Sequence, residues 1–260
     1  MLIPIRDHNP PTKRPFVTYA LIVANIVVFV GYAGLFAQEL RLMEFFQSWG
    51  MLPARLRLGD GYITLITHQF LHADLLHLGC NLLFLWIFGN NMEDVWGHFR
   101  FLGFYLLCGI SAAGLQFASD PDSVIPMVGA SGAIAGVLGG YLLFYPRARV
   151  DLFLFLIVIF RVIPTPAWVV LGGWFTLQIL GGLSVPAGDG GVAYWAHAGG
   201  FLAGIALSFP LWRRMGGRAF WSRCLGQPPH PEARYRFVAS SVPKSGKPAR
   251  ATRPGPWDRK

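Results

Sequence analysis

Charged residues are scarce in this chain of 260 residues. Asp, Glu, Lys and Arg together make up 13% of it, whereas a soluble domain usually carries about 25%. The shortage is concentrated in long uncharged runs, and the mean hydropathy of the chain is +0.45. This combination excludes an ordinary soluble domain and indicates a protein that crosses a membrane several times.

Cysteine and acidic residues are also few. The spacing of Cys80, Cys108 and Cys224 suggests no pair. The first two fall in apolar runs, so a disulfide framework or a cysteine-ligated metal site is not expected. The 13 acidic residues are outnumbered by 22 basic ones, and the net charge of +9 comes largely from the segment after Leu211. We interpret this charge first as a topology signal. Nucleic acid is not an expected partner, and contact of the tail with anionic lipid is a weaker alternative.

A helix needs about 20 apolar residues to cross the hydrocarbon core of a bilayer. The candidate spans are residues 17–37, 74–90, 99–118, 131–145, 167–183 and 194–212. Several are short, which fits a compact bundle that locally thins the bilayer. The apolar run at residues 152–160, "LFLFLIVIF", is too short to cross alone, and it is followed closely by Arg161, Pro164 and Pro166. This run predicts an interfacial or re-entrant connection.

The predicted fold class is therefore an all-α membrane protein with a bundle of six helices. Residues 1–16 form a polar N-terminal segment, residues 17–212 the membrane domain, and residues 213–260 a basic tail rich in Pro, Arg and Ser. We expect the N-terminal segment and the tail to be cytoplasmic and the tail to be disordered. The N-terminal segment looks neither like a cleaved signal peptide nor like an organelle presequence. The expected location is therefore a bacterial cytoplasmic membrane.

Basic residues favour one orientation of this bundle, with both termini inside. The segments that would then lie inside carry Arg6, Lys13, Arg14, Arg100, Arg147, Arg149, Arg161 and the basic tail. Those that would lie outside carry Arg41, Arg55 and Arg57, all in the first long loop. In this topology the second, fourth and sixth spans all run from outside to inside.

Four polar residues begin these three spans and would share one depth below the outer surface. They are His77, Asn81, Ser131 and His197. Polar groups inside spans usually face the bundle interior or a wet cavity. His197 is a plausible base for Ser131, which would make the pair a catalytic dyad. His77 and Asn81 share a helix face at i, i+4 and carry N–H donors, as does the backbone of Ser131, so all three suit a developing oxyanion.

Other interpretations of these residues stay open at this point. Ser131 is also the kind of small residue that packs transmembrane helices, and a histidine or asparagine can simply hydrogen-bond to a neighbouring helix. His68, His72 and His77 suggest a metal site, but no cysteine or carboxylate cluster completes a ligand set.

Glycines four residues apart predict that the fourth and sixth spans approach closely. Gly132, Gly136 and Gly140 lie on the fourth span, and Gly200 and Gly204 lie on the sixth. Such faces let helix axes come together. Contact between them would bring Ser131 within hydrogen-bond reach of His197.

The sequence resembles the rhomboid family of intramembrane serine proteases. The matching stretches are "THQFLHADLLHLGCN" at residues 67–81, "GASG" at 129–132 and "AHAGGFLAG" at 196–204, and the resemblance covers about residues 19–212. It implies a nucleophile at Ser131, a base at His197, and assistance to the oxyanion from His77 and Asn81. It also implies a partly embedded first loop at residues 38–67.

The resemblance further implies cleavage of transmembrane segments of other proteins, with no metal or organic cofactor. The family uses a dyad, so Asp189 is not promoted to a third member. Some members carry an aromatic residue, stacked on the histidine, at the position of Ala135. In this chain the orientation of His197 must therefore depend on other contacts. We expect the fifth span and the loop at residues 181–191 to act as a gate. The chief alternative is a rhomboid-like protein that binds transmembrane helices without cutting them, and a small transporter is a second.

Overall fold

The computed structural model describes residues 2–156, 159–184 and 192–224 together with Gly226. Helices dominate these residues. The helices are α1 Phe16–Tyr32, α2 Glu39–Trp49, α3 Pro53–Arg57, α4 Thr64–Thr67, α5 Leu75–Phe84, α6 Asn90–Trp96, α7 His98–Ser119, α8 Ser131–Phe144, α9 Ala167–Ser184, α10 Tyr194–Arg214 and α11 Arg218–Cys224. Short 3-10 turns at Ala33–Ala37 and His68–Phe70 follow α1 and α4, and a π-helical turn at Leu85–Gly89 joins α5 to α6.

Four helical segments of the described chain are long and apolar enough to cross a membrane. They are Phe16–Ala37, Leu75–Trp96, His98–Ser119 and Ala167–Ser184. They coincide with the first, second, third and fifth predicted spans. The helix at the fourth position, α8, has 14 residues, which is about 21 Å at 1.5 Å per residue. The count of six spans therefore stays a prediction.

Helix α8 is the centre of the bundle. Every residue from Gly132 to Tyr141 is buried, as expected for a helix that is apolar on all sides. It packs most extensively against α10 and α7. The element that begins with Ser131 is thus held on all sides by the rest of the molecule.

The contact between α8 and α10 depends on glycine, as the sequence predicts. A Cβ atom on Gly200 would overlap the carbonyl oxygen of Gly132, and one on Gly204 would overlap that of Gly136. A Cβ on Gly140 would lie 2.8 Å from Oγ of Ser208 in α10. The two backbones therefore touch at Gly132 and at Gly136, about one helical turn apart, and no larger residue fits at Gly200 or Gly204 without moving a helix.

A three-stranded antiparallel sheet corrects the expectation of an all-α fold. Its strands are β1 Leu2–Asp7, β2 Arg149–Leu156 and β3 Ile159–Pro166, in the order β1-β2-β3. The run at residues 152–160, predicted to be an interfacial or re-entrant connection, lies within a β-hairpin whose residues 157–158 fall outside the described residues. The phenylalanines and the β-branched residues of this run favour strands, and Pro164 and Pro166 exclude a helix beyond the turn. The polar N-terminal segment supplies the third strand.

The sheet lies at the end of α8 opposite Ser131, where polar contacts attach the N-terminal strand. Arg6 Nη2 donates to Oδ2 of Asp151 at 2.7 Å, and His8 Nε2 lies 2.9 Å from Oδ1 of the same carboxylate. Asp7 Oδ2 accepts from Tyr141 Oη at 2.8 Å and from Asn91 Nδ2 at 2.7 Å. The N-terminal segment is therefore tied both to the hairpin and to the last turn of α8.

The start of the segment that was expected to be a disordered tail is helical. Helix α10 ends at Arg214, and α11 follows it from Arg218 to Cys224. Trp221 Nε1 donates to the carbonyl oxygen of Leu143 at 3.0 Å. The start of the basic segment thus packs on the end of α8, whereas residues 227–260 lie outside the described residues.

The first loop contains helices α2 to α4 and is fastened to the segment before α8. Met51 and Met127 form an isolated antiparallel bridge, in which each backbone N–H donates to the carbonyl oxygen of the other residue. Thr67 Oγ1 donates to the carbonyl oxygen of Trp49 at 2.6 Å. Embedding of this loop in a membrane stays a prediction.

The glycine contact predicts a large difference between two Gly→Ala substitutions. Gly204→Ala should lower the stability of the protein in detergent by about 1–3 kcal/mol, because the new methyl group meets backbone that cannot move aside. Gly172→Ala is the matched control, since a Cβ at Gly172 in α9 meets nothing within 4 Å. Thermal unfolding followed by circular dichroism measures both. Equal midpoints for the two variants would contradict the close contact of α8 with α10.

The burial of Asp7 predicts a pH-dependent stability. Asp7 lies in β1, outside the membrane-spanning segments, and burial raises the pKa of its carboxyl group from 3.8 to about 7. The unfolded chain gives up this proton near pH 4, so the stability contributed by protonated Asp7 is lost as the pH rises from about 4 through about 7. The melting temperature of Asp7→Asn, relative to that of the unmodified protein, should therefore rise between pH 5 and pH 7 and level off above. A difference that is constant with pH would contradict the raised pKa.

Candidate active site

Ser131 is the first residue of α8 and follows a tight bend. Gly129 has φ +130°, which side-chain-bearing residues rarely adopt. Its N–H donates to the carbonyl oxygen of His68 at 2.9 Å, which fixes the bend against the 3-10 turn. The chain therefore turns sharply into the helix, and the N–H groups of the first turn have no intrahelical partner.

His197 of α10 lies directly against this serine. Its Nε2 atom is 2.8 Å from Oγ of Ser131. Gln178 of α9 lies on the other side of the ring, with Oε1 at 2.7 Å from Nδ1 of His197. The structure thus brings together Ser131 and His197, which the sequence pairs, and adds a third polar residue, Gln178.

An aromatic ring also flanks His197. The centroid of the Trp174 ring system lies 5.7 Å from that of the imidazole, with the planes inclined by 38°. Ala135, where some rhomboids carry an aromatic residue, is fully buried. Its Cβ faces Gly200 at the contact of α8 with α10. The histidine is therefore bordered by an aromatic residue of α9 instead of one from α8.

His77 and Asn81 lie in the first turns of α5, on the other side of the bend at Gly129. The position that a Cβ on Gly129 would occupy is 2.8 Å from Nε2 of His77 and 3.5 Å from Oγ of Ser131. Asn81 is buried, and its Nδ2 donates to the carbonyl oxygen of His77 at 3.1 Å. One N–H of the Asn81 amide is thus engaged within the helix, and the other is left for a further acceptor.

A cavity of about 800 Å³ connects these residues. Its walls come from α5, α8, α9, α10 and the segment before α8, and they include Ser131, His197, His77, Asn81 and Trp174. The volume lies within the range of ordinary ligand sites. The four polar residues predicted at a common depth therefore line one space.

The structure describes the surroundings of His68, His72 and His77, the histidines that suggested a metal site. His68 and His72 are buried, and the ring of His72 lies edge-on to that of His77, 5.1 Å between centroids. The described part of the chain holds no group of three His, Cys, Asp or Glu side chains placed to bind a metal ion. Asp189, in the predicted gate loop, lies outside the described residues.

Gln178 and Trp174 are the site residues that the sequence argument misses. Both come from α9, four residues apart, and so share a helix face. The available signal was an amide side chain in the middle of the apolar run "AWVVLGGWFTLQILGGLS". Polar groups inside spans usually face a cavity or a partner, and the same reasoning that selected Ser131 and His197 applies to Gln178.

The arrangement suits proton transfer from a hydroxyl group. A serine hydroxyl that donates to an imidazole nitrogen can lose its proton to that nitrogen as it attacks an electrophile. On the far side of the ring, the Gln178 oxygen can accept a hydrogen bond from Nδ1 when that nitrogen carries the proton. The site has the form of a serine hydrolase centre in which an amide occupies the third position.

Known proteins share this chain's sequence pattern. The rhomboid domain model matches residues 59–214. Rhomboid protein 1, mitochondrial, of Saccharomyces cerevisiae is 29% identical over 212 residues, which cover 76% of this chain and 56% of that protein. Rhomboid protease GluP of Bacillus subtilis is 34% identical over 146 residues, covering 56% of this chain and 26% of that protein.

A third relative comes from a plastid. Rhomboid-like protein 11, chloroplastic, of Arabidopsis thaliana is 29% identical over 133 residues, covering 51% of this chain and 43% of that protein. The chain thus spans between about a quarter and a little over half of the length of these relatives. The names include mitochondrial and chloroplastic proteins, so the similarity assigns no particular membrane. The domain match extends over more than half of the sequence, and it includes every site residue described above. The chain is an integral membrane protein and belongs to the rhomboid family, which includes intramembrane serine proteases.

Proposed function

We propose that this chain is an intramembrane serine endopeptidase that cleaves transmembrane segments of other membrane proteins. The observation that carries the proposal is the 2.8 Å contact of Ser131 Oγ with Nε2 of His197 inside a cavity of about 800 Å³. A serine used only for helix packing needs neither a basic partner nor a cavity.

The proposed reaction follows from the position of the His197 imidazole beside the Ser131 hydroxyl group. Nε2 of His197 accepts the proton of Ser131 as Oγ attacks the carbonyl carbon of the scissile bond. The tetrahedral intermediate collapses, the C–N bond breaks, and the imidazolium returns the proton to the leaving amine. Water then attacks the acyl-enzyme, and His197 again accepts a proton. The C–Oγ bond breaks, the carboxylic acid leaves, and the imidazolium returns the proton to Oγ of Ser131.

The carbonyl oxygen of the substrate becomes an anion during both steps and needs donors. The N–H of Ser131, at the start of α8, is one candidate because helix N-termini favour anions. His77 Nε2 and the free N–H of Asn81 are the other two in this proposal. His77 lies beside Gly129, two residues before the nucleophile, and Asn81 holds its side chain at His77 through the bond to that residue's carbonyl oxygen.

The substrate must expose a peptide bond to reach this site. A transmembrane helix hides its carbonyl groups in hydrogen bonds, and each unsatisfied group in lipid costs several kcal/mol. The substrate must therefore unwind locally at the wet cavity. Helix-weakening residues near the outer end of its span should favour cleavage, since they lower the cost of unwinding.

The orientation of the bundle in the membrane is part of the same proposal. We propose six spans with both termini cytoplasmic, which puts the site near the outer surface and the β-sheet at the inner surface. Arg6, Arg147, Arg149 and Arg161 then lie on the inner side, in accordance with the positive-inside rule. A bacterial cytoplasmic membrane remains the proposed location.

Cleavage of a reporter tests the proposal directly. Purified protein in liposomes should cut a single-span reporter that carries Gly and Ser near the outer end of its span. Ser131→Ala and His197→Ala should each reduce the rate by at least about 10³-fold, and both should lose labelling by a fluorophosphonate. Ser222→Ala is the matched control, because its exposed Oγ only donates to the carbonyl oxygen of Arg218.

Two results would contradict the proposal. Cleavage that survives Ser131→Ala would exclude this nucleophile. Binding of the reporter without cleavage or labelling by the unmodified protein would favour a rhomboid-like protein that recognises transmembrane helices without cutting them.

We further propose that substrates enter past α9. Only 17% of the most apolar stretch of α9 is buried, compared with 44% and 39% for the spans at α5 and α7. Its residues Leu177, Leu180 and Leu183 are exposed. Every residue of α8 from Gly132 to Tyr141 is buried. Because so little of α9 is enclosed by the bundle, it can move at lower cost than the helix that holds Ser131.

Cross-linking tests this gate. Cysteine pairs placed on the cavity sides of α5 and α9, in a background without the three native cysteines, should slow reporter cleavage when oxidised and restore it when reduced. The single-cysteine variants are the controls. Full cleavage by the oxidised protein, with the cross-link shown by mass spectrometry, would exclude a gate between these helices.

A further inference from the structure

The geometry points to Gln178 as the residue that positions the base: we propose that its side-chain oxygen fixes His197 in the tautomer and orientation that let Nε2 accept the proton of Ser131. This inference deepens the proposed function and rests on it. It also assigns a role to a residue outside the pair implied by the resemblance.

The atoms in contact between Gln178 and His197 favour one tautomer of the imidazole. Gln178 Oε1, which only accepts hydrogen bonds, lies 2.7 Å from Nδ1 of His197. A neutral imidazole carries one N–H. Donation of that N–H from Nδ1 leaves a lone pair on Nε2, the nitrogen 2.8 Å from Ser131 Oγ. The opposite tautomer would leave Nδ1 facing the glutamine oxygen without a proton and would present an N–H to the serine.

The Gln178 amide has a second contact, within its own helix. Its Nε2 lies 3.5 Å from the carbonyl oxygen of Trp174, which can only accept. Reversing the amide would put its oxygen against that carbonyl oxygen and its NH₂ group against Nδ1. The glutamine side chain is buried, with 8% of the residue exposed, so water does not replace either contact. The long contact with Trp174 and the short contact with His197 therefore favour the same orientation of the amide.

The other neighbours of His197 cannot select its tautomer. His197 is bordered by Ser131, Gln178 and the ring of Trp174. Ala135 is too small to stack on the imidazole. Trp174 limits the tilt of the ring, but its face does not distinguish the two ring nitrogens. Among these neighbours only Gln178 can select which nitrogen carries the proton.

An amide in this position has a different effect from a carboxylate. It fixes the tautomer and direction of the imidazole, but it brings no negative charge to stabilise the imidazolium that forms in the transition state. The contribution of Gln178 is therefore to geometry. Its loss should lower turnover by less than the loss of Ser131 or His197.

Three substitutions separate this role from a structural one. Gln178→Leu keeps a similar volume and removes the acceptor, whereas Gln178→Glu keeps an acceptor. Thr176→Val is the matched control on the same helix, because Thr176 is exposed and its Oγ1 only donates to the carbonyl oxygen of Gly172. Each variant is purified as the full chain and assayed in liposomes with the transmembrane reporter.

We expect Gln178→Leu to lower kcat by about 10- to 100-fold, the scale of a misplaced catalytic group, with KM unchanged. Gln178→Glu should restore kcat to within about threefold of the unmodified protein, since acceptance from Nδ1 is what matters. Thr176→Val should match the unmodified protein. Unchanged kcat in Gln178→Leu, or equal losses in the Leu and Glu variants, would overturn the proposal.

A spectroscopic measurement tests the tautomer without relying on activity. In protein with ¹⁵N-labelled histidine, the His197 signals are identified by their absence in His197→Ala. The unmodified protein should show a protonated Nδ1 and an unprotonated Nε2 at neutral pH, and Gln178→Leu should show exchange between tautomers. A protonated Nε2 in the unmodified protein would overturn the positioning role. If the reporter is never cut but the tautomer depends on Gln178, then the proposed function fails and the positioning of His197 stands.

Discussion

The direct contact of the backbones of α8 and α10 is the constraint on which the site depends. The carbonyl oxygens of Gly132 and Gly136 occupy space that a Cβ on Gly200 or Gly204 would need. In lipid, no hydrophobic effect drives helices together, so close van der Waals packing of small residues must supply much of the association. Ser131 stands one residue before the first of these glycines, and His197 three residues before Gly200. The packing that joins the helices therefore also sets the 2.8 Å distance between hydroxyl and imidazole. The two interpretations of Ser131, as packing residue and as nucleophile, describe parts of one arrangement.

The sequence predicted this part of the molecule because the relevant signals are local and repeated. Glycines at intervals of four mark a helix face, and polar residues such as Ser131, His77 and Asn81 stand out in apolar spans. The same signal is present at Gln178, but a catalytic dyad gives no reason to look for a partner on the far side of the histidine. The β-sheet was missed for a different reason. Its pairing joins Leu2–Asp7 to residues about 150 positions away, and an apolar run of nine residues does not reveal whether it forms a strand or part of a helix. The N-terminal strand contains Pro4 and two charged residues, so only its partner identifies it.

The end of α8 opposite the serine is also fixed. Tyr141 donates to Asp7 of the N-terminal strand, and the carbonyl oxygen of Leu143 accepts from Trp221 of α11. With glycine contacts on one side and these polar contacts at its last turn, α8 has little freedom to shift along its axis. A rigid support for the nucleophile is consistent with a reaction in which small displacements of the attacking atom cost large factors in rate. The sheet and the start of the basic segment thus support a site about 21 Å away, by the length of the 14-residue helix between them.

The two tasks that we propose for helix α9 restrict one another. It is the least enclosed of the long helices, which suits a gate, and yet it carries Gln178 and Trp174, which border His197. A movement of the whole helix wide enough to admit a substrate would withdraw the acceptor from Nδ1 and free the imidazole to rotate or change tautomer. Catalysis through such an open state would be slow even with the substrate in place. Two arrangements avoid this conflict. In the first, the half of α9 beyond Gln178 bends away while the turn from Trp174 to Gln178 stays on α10. Such a bend would part the glycines at 181 and 182 from the rings of Tyr194 and Trp195, against which they pack. In the second, α9 moves as a unit and closes again over the bound segment before the chemical step. Both require that the hydrogen bond between Gln178 and His197 is present when the proposed nucleophile attacks, so the helix proposed to admit the substrate would also complete the alignment of the base.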